Sequence, residues 1–460
     1  MPGYRLIREL VDEEFTQSLE EGRDVQKVEE LRAAFASAGD DAALLNEIWE
    51  KLRNLPMRAD WPFNEPSELD AIRALRIDGV RQLSFQADDA ELFDRIYGAW
   101  LGRCAGCALG KPVEGFMEAH NGLSSRERIK TYLEAVSPDE YPLNFYIPQH
   151  SPAKEQTGDL MAPLSTRESI AFMEGDDDIL YTVLGQMVLR EKGRDFTTWD
   201  VARAWLTHLP YGGVCTAETQ AYRNLVVRYD FHSRQADSAE IDWNWVATHE
   251  NPYREWIGAQ IRVDSWAYAA PGNPELAAEF AWRDAHMSHV GNGIYGAMFC
   301  AAMISAAFIT DKPLEIVEAG LREIPQTSRL YAEMRQVIDI CDKLEYSWSR
   351  FDEALDQVES LLGHYRAVHT NNNAGLCVVA LLMCEGDFEK AITLAVMGGW
   401  DTDCNGATVG SISGAAHGAQ ALPQKWIAPL HDTLNSSLAG YHPIAISECA
   451  RRSVEIARKP

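Results

Sequence analysis

The sequence predicts an all-α protein: a compact multi-helix body preceded by a helical N-terminal extension. Three observations carry that expectation. Apolar residues recur at the three- and four-residue spacing of one helix face through most of the chain. Strand-like alternation is scarce. Two well-separated segments place a glycine at every fourth position.

Taken in order, residues 6–55 show helix-period apolar positions, first Val25, Val28, Leu31 and Phe35, then Leu44, Leu45, Ile48, Trp49 and Leu52. Pro56, Pro62 and Pro66 break the pattern, so 58–68 is expected to be a connector. Asp88 and Asp89 then offer a helix start ahead of Leu92, Ile96, Trp100 and Leu101. This sets the expected boundary between an extension, 1–90, and a main body, 91–460. In the body the periodicity predicts helices over 94–109, 177–192, 275–285, 293–309, 313–323, 327–343, 351–364, 373–384, 387–397 and 403–417. Loops are expected over 137–165 and 230–254, the second carrying His232, Trp243, Trp245 and His249 with Trp256 just beyond. Tryptophans there suit a loop pinned to the core better than one that stacks a base or sugar.

The glycines form two ladders, Gly98, Gly102, Gly106 and Gly110, then Gly406, Gly410, Gly414 and Gly418. Residues four apart share a helix face, so each ladder is a stripe without side chains. Interior glycine costs roughly 1 kcal/mol against alanine. Close approach to a partner helix, the other ladder included, is the compensation expected. Such spacing also marks membrane helix pairs, but Arg103, His417 and the short apolar length argue against a span.

Composition bounds the function. With 46% hydrophobic and 24% charged residues the chain can build a large core. A formal charge of −27, from 69 Asp+Glu against 42 Lys+Arg, would repel a polyanion, so no nucleic-acid or anionic-membrane surface is expected. Met1–Glu30 does not resemble a signal peptide, and nine cysteines, an odd number, read as reduced thiols. The expected setting is cytoplasmic.

Candidate chemistry lies at the ladder ends. Gly398-Gly399-Trp400-Asp401-Thr402-Asp403 places two carboxylates at the start of the second ladder helix, within reach of one cation. Asp176-Asp177-Asp178 opens another apolar helix, and Glu114 follows the first ladder. Each acidic group also has a plain reading: carboxylates cap helices and complement the positive end of the helix dipole. If the two ladder helices pack on each other, Glu114 comes towards Asp401 and Asp403. An oxygen-rich cluster of that kind favours magnesium, calcium or manganese over zinc. His289 and Arg262 are candidate substrate contacts, as are Gly399 and Trp400 beside the Asp pair. His286 and Arg262 equally suit structural roles, the latter in an ion pair. Cys104 and Cys107 form a C-x-x-C string inside the ladder helix, where no metal or redox role is expected.

In this order, the elements resemble the ADP-ribosylglycohydrolase family, which includes the dinitrogenase-reductase-activating glycohydrolases. GAWLGRCAGCALGKPVEG resembles the family's opening helix and acidic loop, and Asp176–Asp178 its Thr-Asp-Asp-Thr turn. GWDTDCNGATVGSISGAAHG from Gly399 to Gly418 resembles its C-terminal signature, and Ser288-His289 a Thr-His element. The resemblance spans roughly 91–420. It implies an all-α fold with a binuclear Mg2+ or Mn2+ centre held by Asp177, Asp178, Asp401 and Asp403, with Asp176 as an added carboxylate. It implies Glu114 as the carboxylate beside the ions, with Asp403 also in the reacting centre. The implied reaction is hydrolysis of an N-ribosyl bond, in ADP-ribosylated protein or a smaller ADP-ribose or nucleoside-like conjugate. Alternatives are a catalytically silent binding or structural relative and a metal phosphohydrolase. Four positions depart from the pattern. Asp176 and Ile179 stand at Thr positions, Cys404 stands where a Thr ligand follows Asp-Thr-Asp, and Cys107 replaces an Asp.

Overall fold

The computed structural model describes residues 6–83, 85–229 and 241–459, and among these the fold is all-α. The described residues hold 22 α-helices and one antiparallel strand pair, Thr433–Leu434 with Ile444–Ala445. The predicted helices stand close to their expected bounds, for example Asp177–Lys192, Phe388–Met397 and Thr402–His417. The first ladder helix, Asp89–Gly110, starts earlier than the periodicity indicates because the Asp88 side chain caps it, accepting from Glu91 N at 2.9 Å. Nine of the described helices lie outside the predicted set, the four longest being Ser125–Val136, Thr198–His208, Thr216–Arg228 and Ile446–Arg458. Part of the expected 230–254 loop is also helical. Asp242 caps Trp243–Thr248 by accepting from Trp245 N, and Trp245 stacks on His249. His232 lies outside the described residues.

The glycine ladders pack on each other, antiparallel and in step. A methyl group at Gly98, Gly102 or Gly106 would run into the carbonyl of Gly414, Gly410 or Gly406, and the reverse holds for each partner. At the end of the series Gly110 meets the backbone of Thr402 and Asp403. The stripes therefore exist to let two backbones touch. Around this pair, Gly291–Ala307 and Thr370–Met383 are buried along their length and complete the main core.

The N-terminal helices Ile7–Glu20, Val25–Ala38 and Ala42–Arg53 form a second cluster. Leu10, Val11, Phe15, Ile48 and Trp49 pack there with Ala217, Tyr253 and Trp256 of the body. Polar links reinforce the joint. Glu14 receives both terminal nitrogens of the buried Arg254, at 2.6 and 2.9 Å, and Gln17 donates to Glu255 at 2.9 Å. Among the described residues no helix is long and apolar enough to cross a membrane.

Candidate metal centre

The closed ladder ends build the site. Past Gly110 the chain turns through the 3-10 segment Lys111–Phe116, which carries Glu114 half-buried. Opposite, Thr402 donates its hydroxyl to Gly110 O at 2.9 Å and fastens the two ends together. Gly399 and Trp400 both take left-handed backbone, φ 80° and 55°. Glycine tolerates this, but a tryptophan there costs about 1–3 kcal/mol. Surrounding contacts hold the turn: Trp400 N donates to Ser125 Oγ at 2.8 Å, and Asp401 N donates to Asn373 Oδ1 at 3.2 Å.

The capping question now has two different answers. Asp176 does cap its helix, accepting from Asp178 N at 2.9 Å, while its other oxygen pairs with Lys111 Nζ at 2.9 Å. Asp401 stands at the N-cap of the second ladder helix, yet its side chain makes no capping bond. Its carboxylate bonds instead to its neighbours Cys404 and Asp403.

Asp176, Asp177, Asp178 and Asp403 converge, while Asp401 and Glu114 belong to none of the tight groupings among the described residues. Ligand atoms of Asp176, Asp177 and Asp178 lie within 4.8 Å of one another, as do those of Asp178, Asp403 and Cys404, and those of Cys107, Asp176 and Asp403. Asp403 thus belongs to two sets, and its Oδ1 is buried with no hydrogen-bond partner. Cys107, for which no metal role is expected, stands beside these carboxylates. Its place inside the ladder helix, next to Gly106, is what turns its sulfur toward Asp176 and Asp403.

These carboxylates oppose one another's charge. Asp403, then burial, pushes Glu114 up to about 10. Burial, then Asp176 and Asp403, raises Asp177 to about 8, and burial with Asp176 raises Asp403 to about 6. Asp178 and Asp401 are held well above the carboxylate range, burial first. A bound cation inverts that balance, so the donor set and the unpartnered Asp403 oxygen both fit a divalent ion. The sign follows for stability. Folded-state values above the unfolded ones, near 4, favour the protonated folded protein, so stability is fully present at low pH and lost as pH rises through 6, 8 and 10. The gap in melting temperature between cation-free and cation-saturated protein is expected to widen from about pH 5 to about pH 9. A constant gap in thermal melts would contradict it.

Two cations of the chain itself already sit at this centre, and sequence reasoning missed both roles. Arg103, fully buried in the first ladder helix, reaches Asp178 at 3.2 Å and Asp264 at 2.8 Å. Lys111 holds Asp176 and donates to Gly175 O at 2.8 Å. The only available signal was a basic residue inside or just after a small-residue stripe. Lys111→Met is expected to cost cation-free protein about 2 kcal/mol, as for a lost charged hydrogen bond. Denaturant unfolding should show the loss shrinking once a divalent ion saturates the site.

His289 is fully buried. Its Nδ1 meets Ser288 Oγ at 2.8 Å, its Nε2 has no hydrogen-bond partner, and burial keeps the ring neutral. Nε2 lies 3.9 Å from Glu218 Oε1, and Glu218 is an electrostatic neighbour of Asp177. Arg262 takes its ion-pair reading. It pairs with Glu218 and with Asp284 at 2.7 Å and donates to Ser288 Oγ at 3.0 Å, so all three nitrogens are occupied within the protein. His286 stacks on Trp282 at 3.9 Å and bonds its carbonyl, a structural histidine.

Compared with known proteins, residues 88–454 match the ADP-ribosylglycohydrolase family profile. Among solved structures, a chain described as an ADP-ribosylglycohydrolase-related protein complex aligns at 18% identity with a TM-score of 0.48. That alignment covers 80% of this chain and 99% of the other. No curated protein matches the sequence.

Proposed function

This chain belongs to the ADP-ribosylglycohydrolase family, and from that premise we propose that it hydrolyses an N-ribosyl bond with the help of divalent cations. One observation carries the proposal: a buried carboxylate cluster, closed by the glycine ladders, in which Asp403 Oδ1 has no partner. Asp177, Asp178, Asp401 and Asp403 are the side chains that would hold Mg2+ or Mn2+, two ions in this reading, with Asp176 at their edge. When bound, the ions supply positive charge that orients ribose hydroxyls and polarises water.

The remaining work falls to the chain. Glu114 is half-buried and faces Asp403 electrostatically, a place where a carboxylate can exchange protons with a bound substrate. In the proposed reaction water adds its oxygen to the anomeric carbon as the carbon–nitrogen bond breaks. Glu114 takes the water's proton and returns it to the departing nitrogen. The surrounding negative charge favours the oxocarbenium character of the transition state. His289, neutral with a free Nε2, offers a hydrogen bond to a sugar hydroxyl, and the Gly399–Trp400 turn supplies the adjoining wall.

The substrate proposed is an ADP-ribosylated protein or a smaller ADP-ribose or nucleoside-like conjugate, met in the cytoplasm, where the nine cysteines, none of them in a disulfide, stay reduced. Incubation with Mg2+ or Mn2+ and a panel of N-ribosides should release a reducing ribose end. No such product from any of them would defeat the proposal, and phosphate release alone would assign a phosphohydrolase instead.

A further inference from the structure

Sulfur lies among the oxygens of this centre. Ligand atoms of Asp178, Asp403 and Cys404 fall within 4.8 Å of one another, and all three side chains are buried, with Asp403 only 2% exposed. Cys404 follows Asp403 in the first turn of the second ladder helix, and its thiol donates to Asp178 Oδ2 at 3.1 Å. The sulfur therefore already faces the ligand oxygens. The independent mark is Asp403 Oδ1, buried without a hydrogen-bond partner. A buried carboxylate oxygen left without a partner is costly, and a cation is the partner its charge calls for.

We infer that Cys404 is a ligand, through its sulfur, of the ion held by Asp178 and Asp403, forming a mixed carboxylate–thiolate centre that prefers a thiophilic divalent ion such as Co2+ or Zn2+ over Mg2+. The inference rests on the cation reading above and narrows which ion the site selects. Magnesium demands hard oxygen ligands and gains little from sulfur, whereas cobalt and zinc bind thiolate well. On binding, the thiol proton leaves to solvent and the sulfur exchanges its hydrogen bond to Asp178 for the ion. Arg103 keeps its hold on Asp178 from the other side, through Oδ1.

Cobalt reports the bond directly. The full chain, stripped with a chelator under reducing conditions, is titrated with Co2+ and followed by absorbance and thermal melting. The expected result is a near-ultraviolet sulfur-to-cobalt charge-transfer band that saturates together with a rise in melting temperature. Cys404→Ser should lose the band and weaken Co2+ binding roughly 10-fold or more while leaving Mg2+ binding little changed. Cys104→Ser, whose sulfur neighbours Cys449 instead, should keep the band. A rise in melting temperature without a band, or an undiminished band in Cys404→Ser, would overturn the inference and leave the cation reading standing. No band and no stabilisation with Co2+, Zn2+, Mn2+ or Mg2+ would overturn both.

Discussion

Asp403→Asn is expected to abolish cation-dependent hydrolysis while making the cation-free protein more stable. Asp403 belongs to two ligand sets, one of its oxygens has no protein partner, and it is the strongest electrostatic neighbour of Glu114. Asparagine keeps the shape and removes the charge. The ion then loses a shared ligand and the reacting centre loses its polarisation, an effect of several kcal/mol. At about 1.4 kcal/mol per tenfold, activity should fall at least ~100-fold at saturating Mn2+. Without the ion the same change relieves repulsion on Glu114, Asp177 and Asp401. The melting temperature in chelator should therefore rise. A merely structural aspartate would give the opposite sign, so a fall in that measurement would reject this role.

The second large effect belongs to a residue with no side chain. Gly102→Leu is expected to yield no stably folded protein, and Gly102→Ala to lose about 3 kcal/mol. The added carbon at Gly102 runs into the backbone carbonyl of Gly410, with the Phe388 ring 3.2 Å away. Helix propensity would gain about 1 kcal/mol from alanine. Overpacking costs about 1–3 kcal/mol or more, and here the obstacle is backbone, which has no rotamer to yield. Gly212→Ala is the control: nothing lies within 4 Å of its added carbon, and stability should stay within about 0.5 kcal/mol. Chemical denaturation of the three variants checks the ranking, and a neutral Gly102→Ala would show that the two helices can separate freely.

Much of this architecture was legible because it is written in spacing. Glycine at every fourth position predicts a bare stripe, and bare stripes make sense only against another backbone. The missed helices had signals of a local kind. Ser124 and Glu127 form a reciprocal capping box ahead of Ser125–Val136, and Thr197 with Asp200 does the same for Thr198–His208. Partner choice was not legible. Asp176 and Asp401 are both acids at a helix start, and only the fold shows one capping its helix and the other making no capping bond. Arg262 likewise could face a ligand or an acid until Glu218 and Asp284 were seen beside it. Nor does a C-x-x-C string reveal that the ladder helix turns Cys107 toward the acidic cluster.

The joint between the N-terminal helices and the body bears on how the chain can be cut. The family match begins at residue 88, which invites expression of the matched segment by itself. That cut would remove Glu14 and Glu21, the carboxylates that hold buried Arg254, and Gln17, which holds Glu255. It would also uncover Ala217, Tyr253 and Trp256, with Ala217 the immediate neighbour of Glu218. A truncated chain would carry stranded charge and bare aromatic surface beside its own candidate site. The point where kinship starts is thus a poor place for the scissors.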